Sequence, residues 1–164
     1  MARGNGIVVT SDPKGQFQEG YVKTGQTFYP GMAVLRDASV ALISGVHTYK
    51  IYDESADGDQ PTGAIWIVTN MLGELIGKLV SDSIAAGERA MFYSPRPGEE
   101  LNLLISNLAG TADDHALGEK LMIDTGTGEF IATTGTPEQE VAQLLEAITD
   151  PTADTLAWCQ WGNP

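Results

Sequence analysis

The stretch AAGERAMFYSPRPGEELNLLISNLAGTADDHALGEKLMIDTGTGEFIATTG, residues 85–135, decides the fold class. Short apolar runs alternate here with clusters of glycine, proline and polar residues. This spacing is typical of an all-β barrel or sandwich, in which each short strand ends at a turn. The stretch therefore predicts an all-β protein whose body is a compact β-barrel or β-sandwich of short antiparallel strands.

Two hairpins are expected within this stretch. Residues 89–93 and 100–105 flank the sequence Ser-Pro-Arg-Pro-Gly, and residues 120–124 and 129–133 flank Thr-Gly-Thr-Gly. Proline sets the backbone angle that a turn needs, and glycine supplies positive φ angles. Further strands are expected at residues 32–35, 40–43, 46–52, 64–71 and 156–161.

The segment 137–148 is ambiguous between helix and strand. Thr136 could cap a helix and Pro137 suits its first turn, and apolar residues recur at helical spacing from Val141 to Ile148. Local signals alone therefore favour a helix here.

The first 27 residues differ from the rest of the chain. They contain five glycines and few large apolar residues, so they cannot form a core of their own. We expect residues 1–27 to be an extended N-terminal arm that orders against a partner, and residues 28–164 to be a single β-rich body domain. Deletion of residues 1–25 should then leave the body folded.

Charge is unevenly distributed along the chain. The formal net charge is −13, yet residues 1–52 hold five basic and three acidic residues, whereas residues 53–164 hold four basic and nineteen acidic ones. An acidic body of this kind cannot neutralise phosphates over a broad face, so the chain should not bind nucleic acid. The basic start could instead contact an acidic partner surface.

The bulk properties are those of one self-sufficient domain. A chain of 164 residues can bury enough surface to fold without metals or disulfides, and the single cysteine, Cys159, is expected to be a buried apolar residue. No run approaches the roughly 20 apolar residues of a membrane helix. The N-terminus also lacks a secretory apolar segment, so synthesis in a cytoplasm is expected.

Residues that could carry chemistry form no convincing catalytic, cofactor or metal site. His115 follows two aspartates, but neighbouring loop residues rarely converge on one atom, and a solvated loop is the simpler interpretation. The acidic loop at residues 53–59 departs from the calcium-binding EF-hand pattern. The sequence therefore predicts a protein that is not an enzyme and uses no cofactor.

The order and spacing of four stretches resemble the decoration, or capsid cement, proteins of tailed-bacteriophage heads. These stretches are DPKGQFQEGYVKTGQTFYPGMAV (12–34), AAGERAMFYSPRPGEELNLLISN (85–107), GEKLMIDTGTGEFIATTG (118–135) and VAQLLEAITDPTADTLAWCQW (141–161). The resemblance covers most of the chain. It implies a β-rich body and makes residues 141–148 a strand paired with residues 155–161, against the local helix signal.

The resemblance also implies a function and partners. The protein would bind the major capsid protein on the outer surface of the virion as a homotrimer and stabilise the expanded head. The arm would reach the shell, with Lys14, Phe17 and Tyr21 as the expected capsid contacts. Because an extended segment can add a strand to another protein's sheet, this role suits such an arm.

A carbohydrate-binding or host-attachment module displayed on a virion is the alternative function. Trp66, Trp158 and Trp161 could line a sugar-binding face. Such residues more often lie in a core or a subunit interface. Burial of these tryptophans would therefore count against the alternative.

Overall fold

The described part of the chain folds into strands and their connections. A computed structural model describes residues 6–10, 12–53, 64–70, 79–106, 114–133, 140–149 and 153–162. All ten of the secondary-structure elements in these ranges are β-strands, which confirms the all-β prediction. Among the described residues, no helix has the length and apolar character needed to cross a membrane.

The first five strands close into one barrel. Its strands are β1 (Gln16–Val22), β2 (Ala33–Arg36), β3 (His47–Ile51), β4 (Trp66–Thr69) and β5 (Arg89–Ser94). Their order around the barrel is β1-β3-β2-β4-β5, and β5 pairs with β1 to complete the circle. The β1–β3 pairing is parallel, and the other pairings are antiparallel.

The last five strands close into a second barrel. Its strands are β6 (Glu100–Ile105), β7 (Lys120–Ile123), β8 (Phe130–Ala132), β9 (Ala142–Leu144) and β10 (Thr155–Trp161). Their order is β6-β8-β7-β9-β10, with β10 paired to β6. The β6–β8 pairing is parallel and the others are antiparallel, so the two barrels have the same topology.

Equivalent strand pairs of the two barrels also have the same register. Val22 on β1 pairs with Tyr49 on β3, and at the corresponding place Ile105 on β6 pairs with Phe130 on β8. Every other strand pair of the first barrel has a counterpart in the same register in the second. The chain is thus an internal structural repeat of one barrel, although its sequence shows no obvious repeat.

Pairs of residues outside the strands support this repeat. Phe28 and Ile84 form an isolated bridge in the first half, with hydrogen bonds of 3.0 and 2.8 Å between their backbones. His115 and Ile148 form the corresponding bridge in the second half, with two bonds of 2.9 Å. Because these bridges precede corresponding strands, the repeat extends beyond the barrel walls.

A glycine makes room for the aromatic core of the first barrel. The rings of Tyr49 and Phe92 stack with their centroids 3.9 Å apart, and both side chains are fully buried. A Cβ atom on Gly20 of β1 would lie 2.4 Å from Cε2 of Tyr49. Gly20 therefore supplies the gap that the stacked rings occupy, which explains one glycine of the glycine-rich N-terminal region.

The barrels are packed directly against each other. Ala33, Leu35, Ile67 and Tyr93 from the first barrel share one apolar cluster with the inward-facing residues of the second. Among the described residues, three backbone hydrogen bonds also join the barrels: Leu104 N to Gly31 O at 3.2 Å, Ala33 N to Gly128 O at 2.7 Å, and Gly126 N to Tyr52 O at 2.9 Å.

The N-terminal segment is part of the folded body, which corrects the expectation of a separate arm. Residues 16–22 form β1, which pairs with both β3 and β5 inside the first barrel. Ile7 is buried in the core of the second barrel, and Val8 forms a bridge to Leu101 on β6. The glycine-rich composition did not predict a folded segment, because glycine here allows close packing inside the barrel. Deletion of residues 1–25 would therefore remove a barrel strand.

Two other local predictions are wrong. Residues 89–93 and 100–105 do form β5 and β6, but these strands belong to different barrels, so the Ser-Pro-Arg-Pro-Gly sequence links barrels and does not close a hairpin. Residues 40–43 form no strand, and only Ile43 makes an isolated bridge, to Val46. In both cases partners distant in the chain decide the pairing.

The remaining strand predictions are confirmed within the described residues. The Thr-Gly-Thr-Gly sequence does join a hairpin, β7–β8. In the ambiguous segment, residues 142–144 form β9, paired antiparallel with β10, so the strand interpretation is correct there. Cys159 on β10 is fully buried, as expected.

Candidate interaction surface

The outward face of β1 brings together two of the three expected contact residues. Phe17 and Tyr21 are four residues apart on the strand and therefore project from the same face, opposite to that of inward-facing Gly20. Phe17 is 40% exposed, and its ring lies 4.5 Å from that of Tyr93 on β5. Lys14 lies just before the strand, and its exposed side chain pairs with Asp12.

Tyr21 is held by a charged neighbour. Arg89 on β5 donates a hydrogen bond from Nε to the Tyr21 hydroxyl at 3.0 Å, and its guanidinium carbon lies 5.3 Å from the Tyr21 ring centroid. The same arginine pairs with Glu19 at 2.9 Å. A cation over an aromatic ring restrains both groups, so this end of the surface presents an ordered Tyr–Arg–Glu cluster.

A buried carboxylate anchors the segment that carries Lys14. One oxygen of Glu99, Oε1, accepts hydrogen bonds from the backbone N–H groups of Lys14 and Gly15. The other, Oε2, accepts from the Tyr93 hydroxyl and the Arg96 backbone N–H, each at 2.7 Å. Sequence reasoning missed Glu99 because its partners lie far apart in the chain.

Hydrogen bonding overcomes burial at this carboxylate. Burial alone would raise the pKa of Glu99, but the four donors stabilise its charged form and leave the pKa below its usual value. Burial, together with the bond to Glu99, raises the pKa of Tyr93, which therefore stays protonated and keeps donating. The anchor is thus intact at neutral pH.

The connection between β2 and β3 presents a second exposed apolar surface, which we call the apolar hairpin tip (Val40, Leu42 and Ile43). Their exposed fractions are 37%, 54% and 47%. Ser44 and Gly45 have φ angles of +52° and +80°, which form a tight turn between Ile43 and Val46. Large apolar side chains held in solvent by an ordered turn are typical of interaction surfaces.

Asp37 holds the base of this hairpin. Its Oδ1 accepts hydrogen bonds from the backbone N–H and hydroxyl of Ser39, and Lys23 Nζ lies 2.7 Å from Oδ2. The bond from Lys23 and those from Ser39 lower the pKa of Asp37 to about 2. Asp37 is therefore charged at neutral pH and restrains the start of the loop.

A pocket of about 470 Å³ lies beside the hairpin base and includes Trp66 in its wall. The Arg36 guanidinium carbon lies 4.7 Å from the Trp66 ring centroid, and Trp66 is only 3% exposed. A sugar ring needs an open aromatic face to stack on. Because Arg36 covers this face, the pocket is poorly suited to carbohydrate.

The other tryptophans also count against a sugar-binding face. Trp161 is 8% exposed and packs edge-on against Phe130 in the second core. Trp158 is half-buried, and its Nε1 donates to a Glu100 carboxylate oxygen at 3.0 Å. The three tryptophans thus serve packing and local hydrogen bonding.

The candidate catalytic residues do not come together among the described residues. His115 lies 2.9 Å from a Glu119 oxygen, and Asp113 falls outside the described residues, as does most of the acidic loop at 53–59. Within the described ranges, no group of three or more His, Cys, Asp or Glu side chains could hold a metal ion. Burial raises the pKa of the Cys159 thiol, which makes it a poor nucleophile.

Comparison with solved structures finds a similar fold. The chain matches the head fiber gp8.5 N base of bacteriophage phi29 with a TM-score of 0.51 and 8% sequence identity, over 90% of this chain and 94% of that one. At this identity the likeness shows a shared fold. No protein-family model matches the chain, and no curated protein matches it significantly.

Proposed function

We propose that this protein is a structural component of a tailed-phage virion that binds the outer surface of the head and cements the capsid. The observation that carries the proposal is the fold, which is similar over 90% of the chain to the base of a phage head fiber. The sequence resemblance to head decoration proteins supports it independently. The partners are the major capsid protein and further copies of this chain, as a homotrimer.

The physical properties of the described surface fit this role. A cement protein needs a rigid body and an adhesive surface, and it performs no chemistry. The two packed barrels provide the rigid body. Lys14, Phe17 and Tyr21 provide a cation and two aromatic rings at the expected shell contact, and aromatic residues are enriched in the centres of protein interfaces.

The acidic composition suits display in many copies. The net charge of −13 makes copies repel each other in solution and limits aggregation in the host cytoplasm before assembly. On a shell, many identical contacts then act together, so that modest individual affinities give stable occupancy.

Co-sedimentation with capsids tests the proposal. Purified protein would be mixed with expanded capsids of its own phage that lack it, and the bound fraction measured by gel densitometry. We expect saturable binding that Phe17→Ser reduces at least tenfold in apparent affinity. Leu117→Ser is the matched control, because Leu117 is 67% exposed and lies on the second barrel, away from β1.

Two outcomes would contradict the proposal. Absence of wild-type binding to expanded capsids would remove the cement function itself. Saturable binding that Phe17→Ser and Leu117→Ser weaken equally would leave the function standing but exclude the β1 face as the contact. Circular dichroism of each variant would verify that it is folded.

A further inference from the structure

The contact between the two barrels is asymmetric. The first barrel contributes Gly31, Ala33 and Tyr52, and the second contributes Leu104 and the β7–β8 turn. The shared register gives each of these positions a counterpart in the other barrel. If the contact were symmetric, both barrels would contribute the same positions, which they do not.

The counterparts of the first barrel's contact residues lie on the second barrel. Gly118, Lys120 and Thr133 correspond to Gly31, Ala33 and Tyr52. Backbone bonding agrees, because Tyr52 N donates to Ala33 O and Thr133 N donates to Lys120 O. We call these three second-barrel residues the open acceptor side, since none of them is fully buried. The Gln143 side chain bonds to the Gly118 carbonyl at 2.9 Å and to Lys120 Nζ at 3.3 Å, so a partner would have to displace it from this surface.

The counterparts of the second barrel's contact residues lie on the first barrel. Tyr21 on β1 corresponds to Leu104 on β6, and the β2–β3 hairpin corresponds to the β7–β8 turn. This hairpin is longer than its counterpart and carries the apolar hairpin tip. Both halves of a second barrel-to-barrel contact are therefore present on the chain at separate places, with the hairpin tip exposed and the open acceptor side partly exposed.

The charge distribution favours a second copy of this chain as the partner that binds these surfaces. Residues 38–46 contain no charged side chain, in a chain whose net charge is −13. Two copies repel each other over most of their surfaces. They can approach where an uncharged apolar tip meets the open acceptor side, which carries Lys120 beside Glu119, whose carboxylate lies 2.9 Å from the His115 ring. The contact would continue the interface that already joins the barrels within one chain.

We propose that the apolar hairpin tip of one copy binds the open acceptor side of the next copy's second barrel, head to tail. This repeats between chains the contact that joins the barrels within a chain. A head-to-tail contact that closes on itself forms a ring, whereas a symmetric contact stops at a dimer. The inference deepens the self-association included in the proposed function by naming the surfaces that carry it.

Cysteine cross-linking tests the direction of the contact. Ala41→Cys lies in the hairpin tip and Thr133→Cys on the open acceptor side, and the native thiol of Cys159 is fully buried. With a short bismaleimide, an equimolar mixture of the two variants should give a covalent dimer, and each variant alone should give none. Ala86→Cys mixed with Thr133→Cys is the matched control, because Ala86 is also an exposed alanine in a loop.

Native mass tests whether the tip drives association. Leu42→Asp should reduce the wild-type oligomer to a 17.4 kDa monomer, whereas Leu79→Asp, at an exposed leucine outside both proposed surfaces, should leave the oligomer unchanged. Because Tyr21 is also a proposed shell contact, both tests use positions outside β1. Circular dichroism would verify that each variant is folded.

Three results would overturn the inference: a monomeric wild-type protein, cross-linking of Ala41→Cys to itself, or an oligomer that Leu42→Asp leaves intact. These measurements use purified protein without capsids. A monomer that still binds capsids would therefore remove this inference and leave the cement function standing. An intact ring that fails to bind capsids would remove the cement function and leave this inference standing.

Discussion

Replacement of Glu99 by glutamine should loosen the junction between the N-terminal segment and the barrels. Glu99 exposes only 5% of its surface, and its two oxygens accept four hydrogen bonds. Glutamine has nearly the same shape but only one oxygen. Its NH₂ group must therefore face either the N–H groups of Lys14 and Gly15 or the donors from Tyr93 and Arg96.

The magnitude follows from the two bonds that are lost. A hydrogen bond to a charged group contributes about 1.5–3 kcal/mol, and neighbouring bonds are not additive. We therefore expect Glu99→Gln to lower the free energy of unfolding by about 3 kcal/mol. With a urea dependence of about 1–3 kcal/mol per molar, the midpoint should fall by about 1–3 M.

Urea unfolding followed by tryptophan fluorescence measures this change. Glu88→Gln is the matched control, because Glu88 is an exposed glutamate that accepts a hydrogen bond from Ala85 N at 2.8 Å. It should lose less than about 1 kcal/mol. If both variants lose the same amount, the four-donor anchor is not the source of stability and the reasoning is refuted.

Acid should narrow the difference in free energy of unfolding between the wild-type protein and the Glu99→Gln variant. The folded protein holds the pKa of Glu99 below its unfolded value. Stability from this carboxylate is therefore fully present above the unfolded pKa, about 4.3, and is lost as the pH falls through the folded pKa. Unfolding curves at neutral pH and below pH 4 should show the two proteins converging.

Two further predictions concern the first barrel. Gly20→Ala should lower the free energy of unfolding by about 1–3 kcal/mol, because the new Cβ would lie 2.4 Å from Tyr49 Cε2 in a filled core. Gly6→Ala is the control: its Cβ would meet nothing closer than 3.8 Å, so the free energy of unfolding should barely change. Equal melting temperatures of the two variants would contradict the packing argument. The pKa of Asp37 is lowered from 3.8 to about 2, and its carboxylate should contribute about 1 kcal/mol to the free energy of unfolding after solvent screening of the partly exposed Lys23. This contribution should be lost as the pH falls from about 4 to about 2. An Asp37→Asn variant with the same acid dependence as the wild type would contradict this.

The candidate contacts show how far sequence reasoning reached. Phe17 is exposed and Tyr21 is half-buried on the same face, but they project from a barrel strand and not from a free arm. The sequence predicts a strand at the apolar hairpin tip, because Val40, Leu42 and Ile43 are as apolar as core residues. Exposure depends on what packs above a residue, and the local sequence does not contain that information.

The sequence by itself determined the strand-and-turn character of the chain. Alternation and turn chemistry depend on neighbours a few residues apart, so the β7–β8 hairpin and the fully buried Cys159 could both be predicted. The resemblance to a known family supplied β9, which the local helix signal contradicted.

Only the tertiary structure decided how the strands close. The parallel pairings of β1 with β3 and of β6 with β8, and the placement of β5 and β6 in different barrels, join segments that are distant in the chain. The repeat was hidden because equivalent positions differ in type: Phe92 and Cys159 occupy the same place in the two barrels. A barrel requires apolar residues of suitable total volume on its inner face, and many different sequences meet that requirement.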